Sequence, residues 1–357
     1  MRCALIEFNA YHEEVLPTFV WLLNRLGIEP DVYMVHGSAR SKPFGLLRDL
    51  RFRPRAVERM ERYWRLPYRL RRYDLEIINS TEPIENLERV AGSTRPLLGV
   101  VHNTALLTDD PAYSAFFERK RRLPILMGRH IAEHVAPSLG ALAWMSHVVF
   151  GSPPRRSATE LPGVTTFVVS GNVEYKRRNY RSLLDAATAL HAEARPFRIR
   201  IVGRSTVRDG NAFREEVERR GLSDSVEFSP GDANHPEFFR LVADADFSLP
   251  LIDTTDDRYR PYLETKLASS VPFAIGLGVP LIANDALVSA YAIDGTGISY
   301  EDGRLADAMR RALESTPSER SSWRDALARK RQEILDQSLE SLRQAIGAVT
   351  GTAPKTT

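Results

Sequence analysis

Residues 165–180 read TTFVVSGNVEYKRRNY, and their reading decides the fold. A short run rich in β-branched and aromatic side chains closes on Ser170-Gly171-Asn172. The cationic run Lys176-Arg177-Arg178-Asn179-Tyr180 then opens a stretch of helical periodicity that reaches Ala192. This is a strand, a glycine turn and a helix. Glycine lets a ligand approach the backbone, and the neighbouring cations suit a diphosphate. Working outward, FRIRIVGRS (197–205), SVEFSPG (225–231), DFSLPLI (246–252), VPLIAND (279–285) and TGISY (296–300) are further candidate strands. Residues 179–192, 211–221, 236–243 and 303–313 carry helical patterns between them. Strands alternating with helices predict a parallel sheet covered on both faces, a Rossmann-like domain.

The same alternation fills the first half. CALIEF (3–8) followed by the apolar spacing Val15, Phe19, Leu22, Leu23, Leu26 is a βα unit, and DVYMVHG (31–37), LEIINST (75–81), RPLLGVVHN (95–103) and HVVFGS (147–152) read as further strands. GSPPRRSATELPG (151–163) is rich in proline and glycine and reads as a hinge. The expected division is an N-terminal domain over 1–155 and a C-terminal domain over 164–317, both Rossmann-like α/β domains facing a cleft. A helix over 318–350 is long enough to cross back to the first domain. Ligands of such sheets bind at the carboxyl ends of the strands, so the chemistry is expected in the cleft.

Composition limits the alternatives. At 357 residues and about 150 residues per domain, two domains are expected. A hydrophobic content of 43% with a net charge of only +3 argues against extensive disorder. The single cysteine, Cys3, excludes an internal disulfide and a cysteine-zinc cluster. The apolar stretch Val271 to Ala283 is broken by Pro272, Gly276, Gly278 and Pro280, too short to span a bilayer, and the opening residues lack the apolar core of a signal peptide. A cytoplasmic protein is expected. Charge is segregated: residues 40–72 hold twelve Lys or Arg against Asp49, Glu58 and Glu61. With its interleaved aromatics this reads as a basic amphipathic helical insertion over 40–73, suited to an anionic membrane on its inner face or to an anionic glycan, or else as a solvated helical insertion. Nucleic acid is disfavoured because no zinc-finger spacing or RNA-binding aromatic motif accompanies the charge.

A second motif lies at YLETKLASSVPFAIGLGVPLIAN (262–284). Ser269 and Ser270 precede a short apolar helix starting near Val271-Pro272, so capping serines and a positive helix end would meet an anionic phosphate. Upstream, Glu264 suits ribose hydroxyls, with Thr265 beside it, and Lys266 suits phosphate. Gly203, after the second strand, repeats the strand-then-glycine plan. In the first half, His102 and Asn103 end a strand, and Asn9 and His12 lie in the first βα loop as candidates near the acceptor or diphosphate. A neutral His102 can hydrogen-bond a sugar hydroxyl or take its proton. His130 and His134 stand four apart but lack a third ligand with metal spacing, and Asp253, Asp256 and Asp257 read as a solvated loop, so no metal is expected.

The succession from Thr165 to about Leu313 resembles the donor-binding half of GT-B glycosyltransferases, most of all family 4. It comprises a glycine turn before a basic helix start, IVG, VEFSPG, ADADFSLPLI, and an acidic residue ahead of AIGLGVPLIA. The resemblance implies a nucleoside diphosphate sugar held by the second domain, an acceptor hydroxyl of a glycan or lipid-linked glycan held by the first, and transfer without metal or cofactor. It also implies that Gly171, Lys176 and Arg177 hold the diphosphate, that Glu264 binds the ribose, and that His102 meets the donor sugar as the catalytic residue; Asn172 and Arg178 are donor-binding candidates by their place in the same turn. The sequence departs from the family pattern at Asn172, where Arg is frequent, and at Pro272, where a second glutamate falls eight positions after the first. A nucleotide-sugar epimerase of the same fold and a non-catalytic donor-binding relative remain the alternatives.

Overall fold

The computed structural model describes residues 1–8, 12–35, 42–57, 66–88, 90, 94–140, 142–153, 163–206, 208–231 and 233–355. By its internal contacts the chain forms two units, Met1–Phe150 with Glu264–Leu267 and Glu333–Thr357, and Gly151–Leu263 with Ala268–Gln332.

The first unit holds a seven-stranded sheet of β1 (Cys3–Glu7), β2 (Asp31–Val35), β3 (Arg53–Val57), β4 (Leu75–Ile78), β5 (Leu97–Val101), β6 (Arg122–Met127) and β7 (Ala143–Met145), ordered β3-β2-β1-β4-β5-β6-β7. All its pairings are parallel. Because side chains alternate across a strand, Cys3 and Leu5 join a core with helix Leu16–Arg25 on one face, while Ala4 and Ile6 join Leu66, Leu70, Tyr113 and Phe116 on the other. The first of these cores also includes Leu342, Ala345, Ile346 and Val349, from the helix Pro317–Thr350.

The second unit holds β8 (Thr165–Ser170), β9 (Phe197–Val202), β10 (Val226–Phe228), β11 (Phe247–Ser248), β12 (Leu281–Asn284) and β13 (Gly297–Tyr300), in parallel and ordered β10-β9-β8-β11-β12-β13. Counted from its own first strand this is the 3-2-1-4-5-6 order of a doubly wound nucleotide-binding sheet. All six strands expected in this half are present, as are its helices.

The first half differs from expectation in three places. Residues 53–57 are not helical: they form β3 at the edge of the sheet, so the basic stretch 40–73 is part of the fold rather than an insertion. Its only described helix is Leu66–Leu70, and residues 58–65 lie outside the described residues. Arg55 and Arg72 of this stretch neutralise the buried Asp31, at 3.2 and 3.4 Å, which explains two of the cations structurally. A strand forms over Arg122–Met127, and the last strand is Ala143–Met145 rather than 147–152.

Candidate functional site

In the second unit, the carboxyl edge of the sheet gathers most of the expected donor residues. Gly171 follows β8 with φ 105°, and Gly203 follows β9 with φ 146°, backbone states open to glycine. The two turns touch: a Cβ on Gly203 would meet the Gly171 carbonyl oxygen at 2.4 Å. They are stitched by Gly171 N–H to Val202 O at 2.7 Å and by Arg204 N–H to the Asn172 side chain at 3.2 Å. Arg178 is the cation placed over this junction, its guanidinium 2.8 Å from where a Gly171 Cβ would be and donating to Asn172 O at 3.4 Å. Lys176 and Arg177 instead flank Glu174, at 3.3 and 3.0 Å, with 73% and 54% of their side chains exposed. Glu174 carries no signal of its own in the sequence, although it stands two residues ahead of Lys176 and three ahead of Arg177.

The short helix is Ser270–Leu277, and every residue in it is buried. It leads through Gly278, Val279 and Pro280 directly into β12, so it runs back along the sheet with its N-terminus at the carboxyl edge. Neither serine caps it. Ser269 already has helical angles (φ −55°, ψ −24°) and makes no capping bond, and among the described residues the buried Ser270 hydroxyl has no partner. A buried hydroxyl without a partner, at the positive end of a helix, is an arrangement that an anion completes. The aspartates divide: Asp253 holds Asn179 at 2.8 Å and Thr255, whereas Asp256 pairs with Arg258 in the exposed loop.

Glu264, Thr265 and Lys266, expected with the donor domain, are instead packed in the first unit. Lys266 bridges Asn103 in an antiparallel pair, Thr104 donates to Thr265 O at 3.0 Å, and Glu264 lies 4.0 Å from His134 Nε2. These backbone bonds tie the segment to the loop after β5, a tertiary placement that continuity along the chain hides.

That loop carries His102. Its ring stacks on His12, centroids 3.7 Å apart and planes 11° apart. His102 Nε2 is 2.9 Å from the Asn79 carbonyl, which can only accept, so Nε2 carries the proton and Nδ1 keeps its lone pair. The backbone N–H groups of His102 and Asn103 donate to Glu82 Oε1 at 3.1 and 2.9 Å. Asn79 reaches Glu7 and the His12 carbonyl, and the buried Oδ1 atoms of Asn79 and Asn103 have no partner among the described residues. Asn9 lies outside the described residues.

The pKa values of the two stacked rings are shifted in opposite directions. Burial, reinforced by the charge on His12, pushes the His102 pKa well below that of an ordinary histidine. Burial also opposes charge on His12, yet the attraction of the Glu14 carboxylate, 3.6 Å away, with Glu7 and Glu82 behind, raises its pKa. Glu14 would be pushed up by burial, but His12 holds it down at about 2. Burial lowers His147, which faces Glu14, to about 4. The surroundings therefore favour the proton on His12 and disfavour it on His102. His12 was legible in the sequence; its partner Glu14, two residues on, was not.

No family model and no curated protein matches the sequence. Solved structures do match along nearly the full length of both chains. A glycosyltransferase from Rickettsia africae ESF-5 shares 10% identity at a TM-score of 0.63, over 98% of this chain and 98% of that one. Anabaena Alr3699/HepE, in complex with UDP-glucose, shares 14% identity at a TM-score of 0.64, over 96% and 100%. WaaG, a glycosyltransferase involved in lipopolysaccharide biosynthesis, shares 12% at 0.56, over 98% and 99%. The chain has the fold of the GT-B glycosyltransferases, two Rossmann-like domains in one polypeptide.

Proposed function

We propose that this protein is a glycosyltransferase that moves a sugar from a nucleoside diphosphate donor to an acceptor hydroxyl in glycan, polysaccharide or glycolipid synthesis. The observation that carries the reading is the uncapped, wholly buried start of helix Ser270–Leu277, with its unpartnered Ser270 hydroxyl on the same sheet edge as the Gly171–Gly203 junction. Arg178 over Gly171 adds a fixed positive charge. The fold shared with a protein crystallised with UDP-glucose supports a nucleotide-sugar donor.

The chemistry asks little of covalent catalysis. As the bond from the anomeric carbon to the diphosphate oxygen breaks, its electron pair goes to the diphosphate. The helix start, Ser270 and Arg178 then stabilise the growing negative charge, with Lys176 and Arg177 nearby. The acceptor oxygen bonds the anomeric carbon and gives up its proton. His102, with a free Nδ1, is assigned to hydrogen-bond a sugar hydroxyl or take that proton, and His12 to donate. The first unit, with Asn103 next to His102, Lys266 paired with Asn103 and Glu264 near His134, is assigned the acceptor side, and no metal or cofactor is assigned a part. The protein is assigned to the cytoplasm.

A thermal-shift screen of UDP, GDP, ADP and dTDP tests this. One nucleotide at 100 times its Kd should stabilise the protein by about 2.7 kcal/mol, and the matching sugar nucleotide should be hydrolysed slowly without acceptor. Binding without hydrolysis or transfer would make the protein a donor-binding relative without catalysis, and no shift with any of the four would end the proposal.

A further inference from the structure

The opposite edge of the first unit's sheet carries a feature that the proposed transfer does not use. In strand order, Arg51 stands before β3, Arg2 before β1, Arg71 before β4, Arg95 before β5, and Arg119 with Lys120 before β6. All six are exposed. Bonds between successive strand starts hold them in one row: Asp74 N–H to Arg2 O at 2.9 Å, Arg95 to Arg71 O at 2.6 Å, and Leu97 N–H to Arg121 O at 2.9 Å. With strands about 4.8 Å apart, five steps from β3 to β6 make a cationic rim roughly 24 Å long. The exposed acids on the same edge include Glu29, bound to Arg53, Asp49, Asp74, which accepts from Arg2 N–H at 2.8 Å, and Glu118, so the cations outnumber them. The two exposed large hydrophobic side chains among the described residues also lie here: Met1 at 49% and Tyr68 at 74%, with Arg71 over the Tyr68 ring at 5.7 Å.

We infer that this rim docks the protein on an anionic lipid bilayer. A row of cations complements the surface charge of anionic headgroups, and an exposed Tyr beside an exposed Met supplies the short apolar anchors that distinguish a lipid interface from a soluble polyanion. Among the described residues no helix is long and apolar enough to cross a membrane, so the association is peripheral. The rim also leaves the His12–His102 edge uncovered, since strands of about five residues separate the two edges by roughly 16 Å. The inference does not depend on the nature of the donor.

Sedimentation with vesicles of phosphatidylcholine alone, or with 30% phosphatidylglycerol, tests it at low and high salt. Wild type should bind only the anionic vesicles and release them in salt. The triple variant R71Q/R95Q/K120Q should bind about a hundredfold more weakly, from about fivefold per cation. A charge-matched variant of the second unit, R219Q/R304Q/R329Q, should lose far less. If the rim variant melts early, K120Q/Y68S, which alters two exposed side chains, replaces it and should bind at least fivefold more weakly. Equal loss in both triple variants, unchanged binding of the rim variants, or binding to heparin but not to anionic vesicles would each overturn the inference. UDP binding, measured in parallel on the same proteins, should be unaltered and reports separately on the donor site.

Discussion

Replacing Gly203 by alanine probes the glycine junction on which donor binding is argued to rest. The new Cβ would stand 2.4 Å from the Gly171 oxygen, 2.5 Å from its carbonyl carbon and 3.0 Å from Asn172 N. These are backbone atoms, which have no alternative rotamer, so one turn must move. A non-glycine residue at φ 146° costs about 1–3 kcal/mol, and overpacking about 1–3 kcal/mol more. The stiffer unfolded chain returns about 0.5–1 kcal/mol, which leaves a net loss of about 1–5 kcal/mol. For a domain of this size that is a fall of about 2–20 °C in Tm. Gly221→Ala is the control: φ is 70° and nothing lies within 4 Å of the added carbon, so only about 1–2 kcal/mol of backbone strain applies. Scanning calorimetry of both variants, with nucleotide titration of each, separates strain from collision. If Gly203→Ala melts together with Gly221→Ala and binds nucleotide like wild type, the contact between the two turns is not as described.

Ser270→Ala removes a hydroxyl that has no partner among the described residues, so unfolding should be nearly unchanged while nucleoside diphosphate affinity drops about tenfold by calorimetry; unchanged affinity would remove the helix start from the donor site. Glu14→Gln should lower the His12 pKa in an NMR titration, since burial then acts without the carboxylate; an unmoved His12 would show that Glu14 is not its partner. The folded His12 pKa lies above 6.5 and that of Glu14 below 4.5, so their mutual stabilisation is complete between about pH 4.5 and 6.5; it fades as pH rises through the folded value of His12 or falls toward about 2. His147 acts in the other direction: its pKa falls from 6.5 in the unfolded chain to about 4, so the unfolded state takes up the proton first and stability drops as pH falls through that window. His147→Phe should flatten the denaturation-against-pH curve there by up to about 3 kcal/mol, and an unchanged slope would refute the burial argument.

The second unit was legible because its strands are short apolar runs ended by glycine or asparagine, and its helices are amphipathic in sequence alone. The first half was less so. In RPRAV (53–57) three of five residues are Arg or Pro, a composition that argues against a buried strand and is tolerated because β3 lies at the sheet edge with exposed residues. In RLPILM (122–127), Arg122 and Pro124 masked an otherwise apolar run. Of the site, the glycines, His12 and His102 could be found because they follow strands. The stack between those histidines and the seating of Glu264–Leu267 on the first unit could not, because both join residues far apart in sequence. Serine before an apolar run is usually a cap, which is what the sequence suggests for Ser269 and Ser270; the helical angles of Ser269 show instead that the turn has already begun there, and its side chain makes no capping bond.

The route of the helix Pro317–Thr350 bears on how the protein is made. Leu342, Ala345, Ile346 and Val349 complete the apolar layer against helix Leu16–Arg25 and strands β1 and β5, yet a ribosome adds them about 190 residues after Phe150. At about 5–20 residues per second, the nascent first unit waits roughly 10–40 s with an oily face uncovered. During that interval it is a client for chaperones, and a fragment ending at residue 150 should be recovered from inclusion bodies rather than as a working half.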